Sequence, residues 1–223
     1  MPETAQRLRS ANPGIPGELV DVASLSSWIE DADGDLQISH VRVTGDGSVG
    51  EDFELFDLSG SRVEGCSYVG CDFARSAFAD VAFSNCDFSN SSFSEANFTR
   101  CTFASCKFTG ADLSESVLAR VELRDCTFAY ASFAKARLAD FLAVSTDFSQ
   151  SDFSEVRQKR ASFDDARFTG TSFFRANLDG VDFSTCQLSD IVLSDAMGEL
   201  RGCAMDLFQA AGIARRLGVN VKD

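Results

Sequence analysis

Eight cysteines, one histidine and 34 aspartates and glutamates are the side chains with which this 223-residue chain could do chemistry. Thiols at metal-ligand spacing would bind zinc, and paired thiols in an oxidising compartment would form disulfides. Yet no C-x-x-C pair occurs, and His40 has no cysteine beside it. Gly45-Asp46-Gly47-Ser48-Val49-Gly50 has the G-x-G-x-x-G spacing of a phosphate-cradling turn, which needs a helix directly behind it. No helical pattern follows, so the stretch reads as an irregular first coil of a repeat. Asp31, Asp33 and Asp35 alternate like the ligands of a calcium loop, but Gly34 is misplaced and Arg42 stands where the bidentate glutamate belongs. A solvated turn is the expectation there. His40 has no nucleophile to serve, the serines recur at fixed intervals, and carboxylate pairs are spread too evenly to single out an acid/base dyad. The reading is that of a non-enzyme with no metal and no cofactor.

What positions these residues is a period of five. From Phe53 to Leu193 every fifth residue is Phe or Leu, except Val63, Tyr68, Ala143 and Gln158. A helix repeats near 3.6 residues and a strand near 2, so a strict five belongs to a solenoid. Two residues before each large position stands a small one, as at Cys66, Cys71, Ser76, Cys86, Ser91, Ala96, Cys101 and Cys106. One large and one small inward residue per five fill a narrow interior, and the flanking Asp, Asn, Ser, Thr, Arg and Lys face water.

Units such as Ala111-Asp112-Leu113-Ser114-Glu115 and Ala176-Asn177-Leu178-Asp179-Gly180 resemble the A(D/N)LXX repeat of the pentapeptide-repeat proteins. The resemblance spans roughly residues 36–195. It implies an all-β solenoid: a right-handed quadrilateral parallel β-helix of four pentapeptides per coil, with residues twenty apart stacked. Cys66, Cys86, Cys106, Cys126 and Cys186 then share one column and, with Cys71 and Cys101, act as small core fillers, leaving Cys203 in the tail. Parallel Cβ vectors about 4.8 Å apart exceed the usual disulfide separation of about 3.5–4.5 Å.

An open solenoid exposes an apolar cross-section and a strand edge at each end. Residues 1–35 are expected to cover the first coil, with a helical stretch over Glu18 to Ile29 carrying Leu19, Val22, Leu25, Trp28 and Ile29. Residues 196–223 cover the other end. Ala204 to Leu217 reads as a helix that Gly218 stops, followed by a short strand at Val219-Asn220-Val221. Phe208 to Val221 is similar to the C-terminal segment of the quinolone-resistance (Qnr) members, where it implies a helix joining two subunits. Leu207, Phe208, Ala211, Ala214 and Leu217 are accordingly the expected homodimer interface.

Function has to be read from the outer surface, whose formal net charge of −14 argues against direct nucleic-acid binding. On the face centred on Phe53, Phe73, Phe93, Leu113, Phe133 and Phe153, one column carries Asp52, Asp72, Asp112 and Asp152, separated in places by Ser92 and Ser132. A second carries Glu95, Glu115, Glu155 and Asp195, interrupted by Arg75, Lys135 and Arg175. The neighbouring face holds Arg100, Arg120, Arg137, Arg157, Lys159 and Arg160 with Asp80 and Asp140. The resemblance implies that the acidic stripe binds a type II topoisomerase, DNA gyrase or topoisomerase IV, as a DNA mimic. A rod serving another cytosolic protein is the alternative.

Loops interrupt the repeat in the protective Qnr members, whereas this register runs uninterrupted, with anomalies only at Phe141-Leu142-Ala143-Val144-Ser145 and Val156-Arg157-Gln158-Lys159-Arg160. Each of these is a candidate substitute for such a loop or, as the plainer expectation, a local bulge. The start, Met1-Pro2-Glu3-Thr4, lacks a charged-then-apolar signal pattern, and no run is long enough to span a membrane, so a cytoplasmic location is expected. The inward assignment predicts that Phe103→Asp, which buries a charge in a middle coil, abolishes soluble folded protein. Thermal melting at the wild-type temperature would refute it.

Overall fold

A computed structural model describes residues 11–31 and 36–222. The calcium-loop positions Asp33, Gly34 and Asp35 and the start at Met1 to Thr4 lie outside the described residues. The chain begins with β1 (Val20–Val22) and α1 (Leu25–Asp31). Short strands follow: β2 (Gln37–Ser39), β3 (Val41–Thr44), β4 (Gly47–Val49), β5 (Asp57–Ser59), β6 (Arg62–Glu64), β7 (Ser67–Val69), β8 (Ala77–Ala79) and β9 (Ala82–Ser84). Four eight-residue strands come next, β10 (Asn97–Ala104), β11 (Val117–Arg124), β12 (Arg137–Val144) and β13 (Arg157–Asp164). The chain closes with β14 (Arg167–Thr169), β15 (Gln187–Ser189), a 3-10 turn (Gly198–Leu200) and α2 (Leu207–Arg216).

From β2 onward every strand pairing is parallel and twenty residues out of step, as in Phe98 with Leu118 and Leu138 with Gln158, and β1 pairs with β3 at twenty-one. This is the four-sided parallel β-solenoid the period calls for. From His40 to Gly180 every fifth residue has a positive φ, and these residues are the corners. A left-handed residue other than glycine costs on the order of 1–2 kcal/mol. The corner N–H offsets part of that cost by bonding the next coil, as Arg75 N–H does to the Ser94 carbonyl (2.8 Å). Glycine is required at Gly60, where a Cβ would come within 2.7 Å of the His40 ring. That single histidine is thus a corner residue covering its neighbour.

Inside, the large side chains stack coil on coil. Ring centroids of Phe83 and Phe103 lie 4.6 Å apart, and those of Phe108 and Phe128 4.5 Å apart. Each buried Phe contributes about 1.5–3 kcal/mol from area alone, and a stacked pair about 0.5–1.5 kcal/mol more. The small slot does more than save space. The Ser76 hydroxyl donates to the Phe53 carbonyl (3.1 Å) and accepts the Phe56 N–H (3.1 Å), and Ser91 does the same to Tyr68 and Cys71. Thiols repeat the donation, Cys86 to Val63 and Cys126 to Phe103. All eight cysteines are free. Burial pushes the Cys101 thiol up to about 12, so it stays protonated.

Several expectations need correction. Gly45 to Gly50 is one regular side of the first coil, with Gly45 and Gly50 as corners and β4 in register with β7. The helix expected over Glu18 to Ile29 is split, because the Val20-Asp21-Val22 alternation completes the free edge of β3 and only Leu25–Asp31 is helical. Phe141 and Ala143 both face inward and are fully buried in unbroken register, so no bulge forms there. Phe141 reaches the Phe163 ring at 5.9 Å and fills the room that Ala143 leaves. Val219-Asn220-Val221 forms no strand. Cys203 is not a loose tail residue: its thiol donates to the Leu178 carbonyl (3.3 Å), as Cys101 donates to Phe78. The register has meanwhile slipped from twenty to twenty-two, since Asp182 pairs with Ala204.

Both ends are closed by side chains that imitate a missing coil. At the first coil Asp46 accepts the Leu25 N–H of α1 (2.9 Å) and the Tyr68 hydroxyl (2.6 Å). At the last, the buried Glu199 takes the place of a carbonyl. It accepts the Arg175 N–H (2.7 Å), the Ser194 N–H (3.1 Å) and the Ser194 hydroxyl (2.9 Å). The Gln209 amide donates to the Phe183 and Cys186 carbonyls, and Arg216 to that of Ile191. Burial alone would raise the Glu199 pKa, but the converging N–H and hydroxyl donors prevail and hold it below its ordinary value of 4.5. A depressed folded-state pKa gives stability that is complete above the unfolded value and is lost as pH falls through the folded one. We therefore expect Glu199→Gln to lower stability near neutral pH by about 1–3 kcal/mol and to shrink the difference from wild type below about pH 4. Urea melts at pH 7 and pH 3.5 check both, and an equal deficit at the two values would contradict the assignment.

Candidate partner-binding surface

The stripe on the Phe53 face is a real column. Backbone bridges run Asp52 to Asp72 to Ser92 to Asp112 to Ser132 to Asp152 to Ser172, so these residues stand on successive rungs about 4.8 Å apart. Asp52 and Asp72 are exposed, and Asp112 and Asp152 are half-buried. The second column occupies the left-handed corners: Arg75, Glu95, Glu115, Lys135, Glu155 and Arg175 all have φ near +58°. Glu95, Glu115, Glu155 and Asp195 are exposed. Asp195 lies at the start of the slipped segment, beside Ser194 and the Glu199 cap.

Sequence reasoning missed what the aspartates do locally. Each accepts the N–H two residues ahead through Oδ1: Asp52 from Glu54, Asp72 from Ala74, Asp112 from Ser114 and Asp152 from Ser154, at 2.8–2.9 Å. Asp87, Asp147 and Asp182 repeat the bond on other faces. This is an Asx turn, which shapes the bend after the large residue. The signal was present in the repeat itself, where Asp or Asn precedes the large residue. An Asp there has a structural reason independent of any partner.

Neutralisation is local. Lys135 pairs with Glu115 (3.7 Å), Arg75 with Glu54, Lys107 with Asp87 (3.2 Å) and Arg167 with Asp147 (3.6 Å). On the neighbouring face Arg100 grips Asp80 with two bonds and Arg160 grips Asp140 likewise. The Arg100 guanidinium holds the Asp80 carboxyl below its usual range against the opposing effect of burial. Asp80 also accepts the Gly14 N–H (2.8 Å), which ties the N-terminal segment to this corner. At the second anomaly the ladder on this face ends. Gln158 lies in register with Leu138, its amide donating to the Asp179 carbonyl (2.8 Å) and its oxygen accepting the Ala161 N–H (3.1 Å). A polar residue in a large slot is tolerated because a turn replaces the next strand there.

α2 is capped by Asp206 with Gln209 in a reciprocal box and rests on the last coil through Gln209, Ile213 and Arg216. The opposite side of the helix carries Leu207, Phe208, Ala211 and Ala214. Leu207 and Phe208 are 87% and 88% exposed, Leu217 64%, and the two alanines are half-buried. Among the described residues no group of three His, Cys, Asp or Glu side chains is placed to hold a metal ion, and no helix is long and apolar enough to cross a membrane.

Comparison with known proteins agrees with this architecture. The family model for a pentapeptide repeat region matches residues 76–142, and that for pentapeptide repeats (8 copies) matches 57–94 and 151–190. A solved structure of a trypsin-treated variant of QnrB1, a plasmid-mediated fluoroquinolone resistance protein, superposes with a TM-score of 0.51 at 23% identity. It covers 80% of this chain and 99% of its own. Full-length QnrB1 gives 0.43 at 20%, over 82% of this chain and all of its own. HetL, involved in heterocyst differentiation regulation in the cyanobacterium Nostoc sp. strain PCC 7120, gives 0.39 at 14%, over 82% of this chain and 97% of its own. At these identities the likeness establishes the fold alone. No curated protein sequence matches the chain.

The turn role of the aspartates separates charge from shape. Replacing Asp72, Asp112 and Asp152 together by Asn keeps an acceptor for each N–H and should leave the melting temperature within a degree or two of wild type. The triple Ala variant should lose about 1 kcal/mol per site. Equal melting of the Asn and Ala variants would show that the turn bonds contribute nothing.

Proposed function

This chain belongs to the pentapeptide-repeat family, and on that premise we propose that it works without catalysis, as an acidic rod that binds a type II topoisomerase in the groove meant for DNA. What supports the reading most is the twenty-residue register, which gathers carboxylates onto one face at a regular rise. The exposed outer side of α2 supports a homodimer formed end to end, in which the same helix is lid and interface. A dimer rod of about 75 Å matches a length of duplex bearing about 44 charges. Twice the net charge of −14 is roughly two-thirds of that. This density suffices for attraction and steering in a basic groove. The QnrB1 structure, described as a fluoroquinolone resistance protein, sets the drug to include in a test. The unbroken register from Phe53 to Leu193 favours binding along the rod over protection by projecting loops.

A second reading is a rod for an unrelated cytosolic partner. The Asx turns favour it, because they account for Asp52, Asp72, Asp112 and Asp152 without any topoisomerase. A gyrase supercoiling assay, with and without a fluoroquinolone, discriminates the two. We expect dose-dependent inhibition or altered drug sensitivity that weakens with salt and is reduced by the Asp72, Asp112, Asp152 to Asn variant. No effect at a tenfold excess over enzyme, with no competition against DNA, would remove the first reading.

A further inference from the structure

Against an acidic rod, one strip of the face bearing β11, β12 and β13 stands out as cationic. Arg137 on β12 and Arg157 on β13 are register partners, directly opposite each other across one strand spacing of about 4.8 Å. Lys159 follows Arg157 on the same side of its strand, about 6.6 Å further along. Arg120 stands at the nearby corner of β11. Arg137, Arg157 and Lys159 are exposed. Like charges directly opposite on neighbouring strands destabilise a sheet, and among the described residues the carboxylates that border the strip, Glu115 and Glu155, form no ion pair with either arginine, Glu115 pairing with Lys135 instead. Among the described residues none of these four cations forms an ion pair, whereas the cations around them do: Arg100, Lys135, Arg160 and Arg167. The two arginines also line a recess of about 210 Å³ with Glu115, Lys135 and Glu155.

We propose that this strip docks an acidic, extended segment of a partner protein, with carboxylates taken by the Arg137 and Arg157 guanidiniums and by the Lys159 ammonium. Two guanidiniums on neighbouring rungs offer carboxylates forked, charge-assisted bonds. Side chains on one side of an extended peptide recur every two residues, about 6.6–6.8 Å apart, which matches the step from Arg157 to Lys159. A nucleic-acid strand fits less well, because Glu115 and Glu155 bound the strip on one side and would meet the phosphates that continue past it. The site adjoins the acidic stripe, with Glu115 and Glu155 on the border of both, but it takes the opposite charge.

The test is fluorescence anisotropy at low salt with a labelled peptide of alternating Glu and Ser. We expect the Arg137→Gln/Arg157→Gln double variant to bind about tenfold more weakly or worse, and Lys159→Gln to bind several-fold more weakly. Both should melt at or above the wild-type temperature. Arg124→Gln, at the far end of β11 beyond the Arg120 corner, should bind as wild type does. A Gln-Ser peptide should not bind, and affinity should fall with added salt. Undiminished binding by the double variant, no binding of the Glu-Ser peptide to wild type, or tighter binding of a single-stranded oligonucleotide of equal charge would each overturn the proposal.

Discussion

Apart from single turn bonds such as that of the Phe56 N–H to the Phe53 carbonyl, each coil of this protein completes its backbone hydrogen bonds on the coil above and the coil below. A five-residue side of the solenoid is too short to bond to itself beyond one turn, so the N–H of a corner such as Glu95 reaches the Ser114 carbonyl and that of Glu115 reaches Ala134. The rest follows from that dependence. The large side chains must repeat at twenty so that rings stack, the small slot must hold compact groups, of which Ser76, Ser91, Cys86 and Cys126 also bridge two coils, and the left-handed corners must accept residues that would avoid that conformation elsewhere. It also explains why the ends are the difficult places, because the first and last coils lack a neighbour on one side.

The same constraint governs the surface. A side chain on one coil is held one strand spacing from its counterparts, so charge is arranged in columns whether or not a partner reads them. Columns of mixed sign neutralise themselves, as Asp80 with Arg100 and Asp140 with Arg160 do. Columns of one sign remain where no opposite charge falls on the next rung. The face with Asp52, Asp72, Asp112 and Asp152 and the strip with Arg137, Arg157 and Lys159 depart from self-neutralisation, and they lie on adjacent faces of one rod.

Most of the fold was legible in the chain because its signal is redundant. Phe and Leu at one phase and Ser, Ala and Cys at another are repeated too often for Ala143 or Gln158 to obscure them, and the local compensations by Phe141 and by the Gln158 amide cannot be read from spacing. The ends were less legible for the same reason: nothing repeats there. Val20-Asp21-Val22 is apolar at helical as well as strand spacing, and only the open edge of β3 decides between them. The two-residue slip after Leu193 hid Cys203 from the register. The acidic stripe was visible as a column, but its turn bonds were not, since an aspartate that shapes a bend and one that meets a partner look alike in sequence.

The two caps have a consequence for size. Asp46, held by Tyr68, meets α1 at the first coil, while Glu199, Gln209 and Arg216 meet the last ones. Among the described residues the hydrogen bonds of the N-terminal segment reach as far as Asp80, ahead of β10, and those of the C-terminal cap reach back to Arg175, beyond β13. Twenty residues could therefore be gained or lost between β10 and β13 without either cap registering the change, and the length of the rod would alter in steps of one strand spacing. The molecule is in this sense a ruler whose graduations are fixed by hydrogen-bond geometry and whose span is set by a count of duplicated units. The reach of its charged columns can thus be adjusted while the chemistry of each rung stays the same.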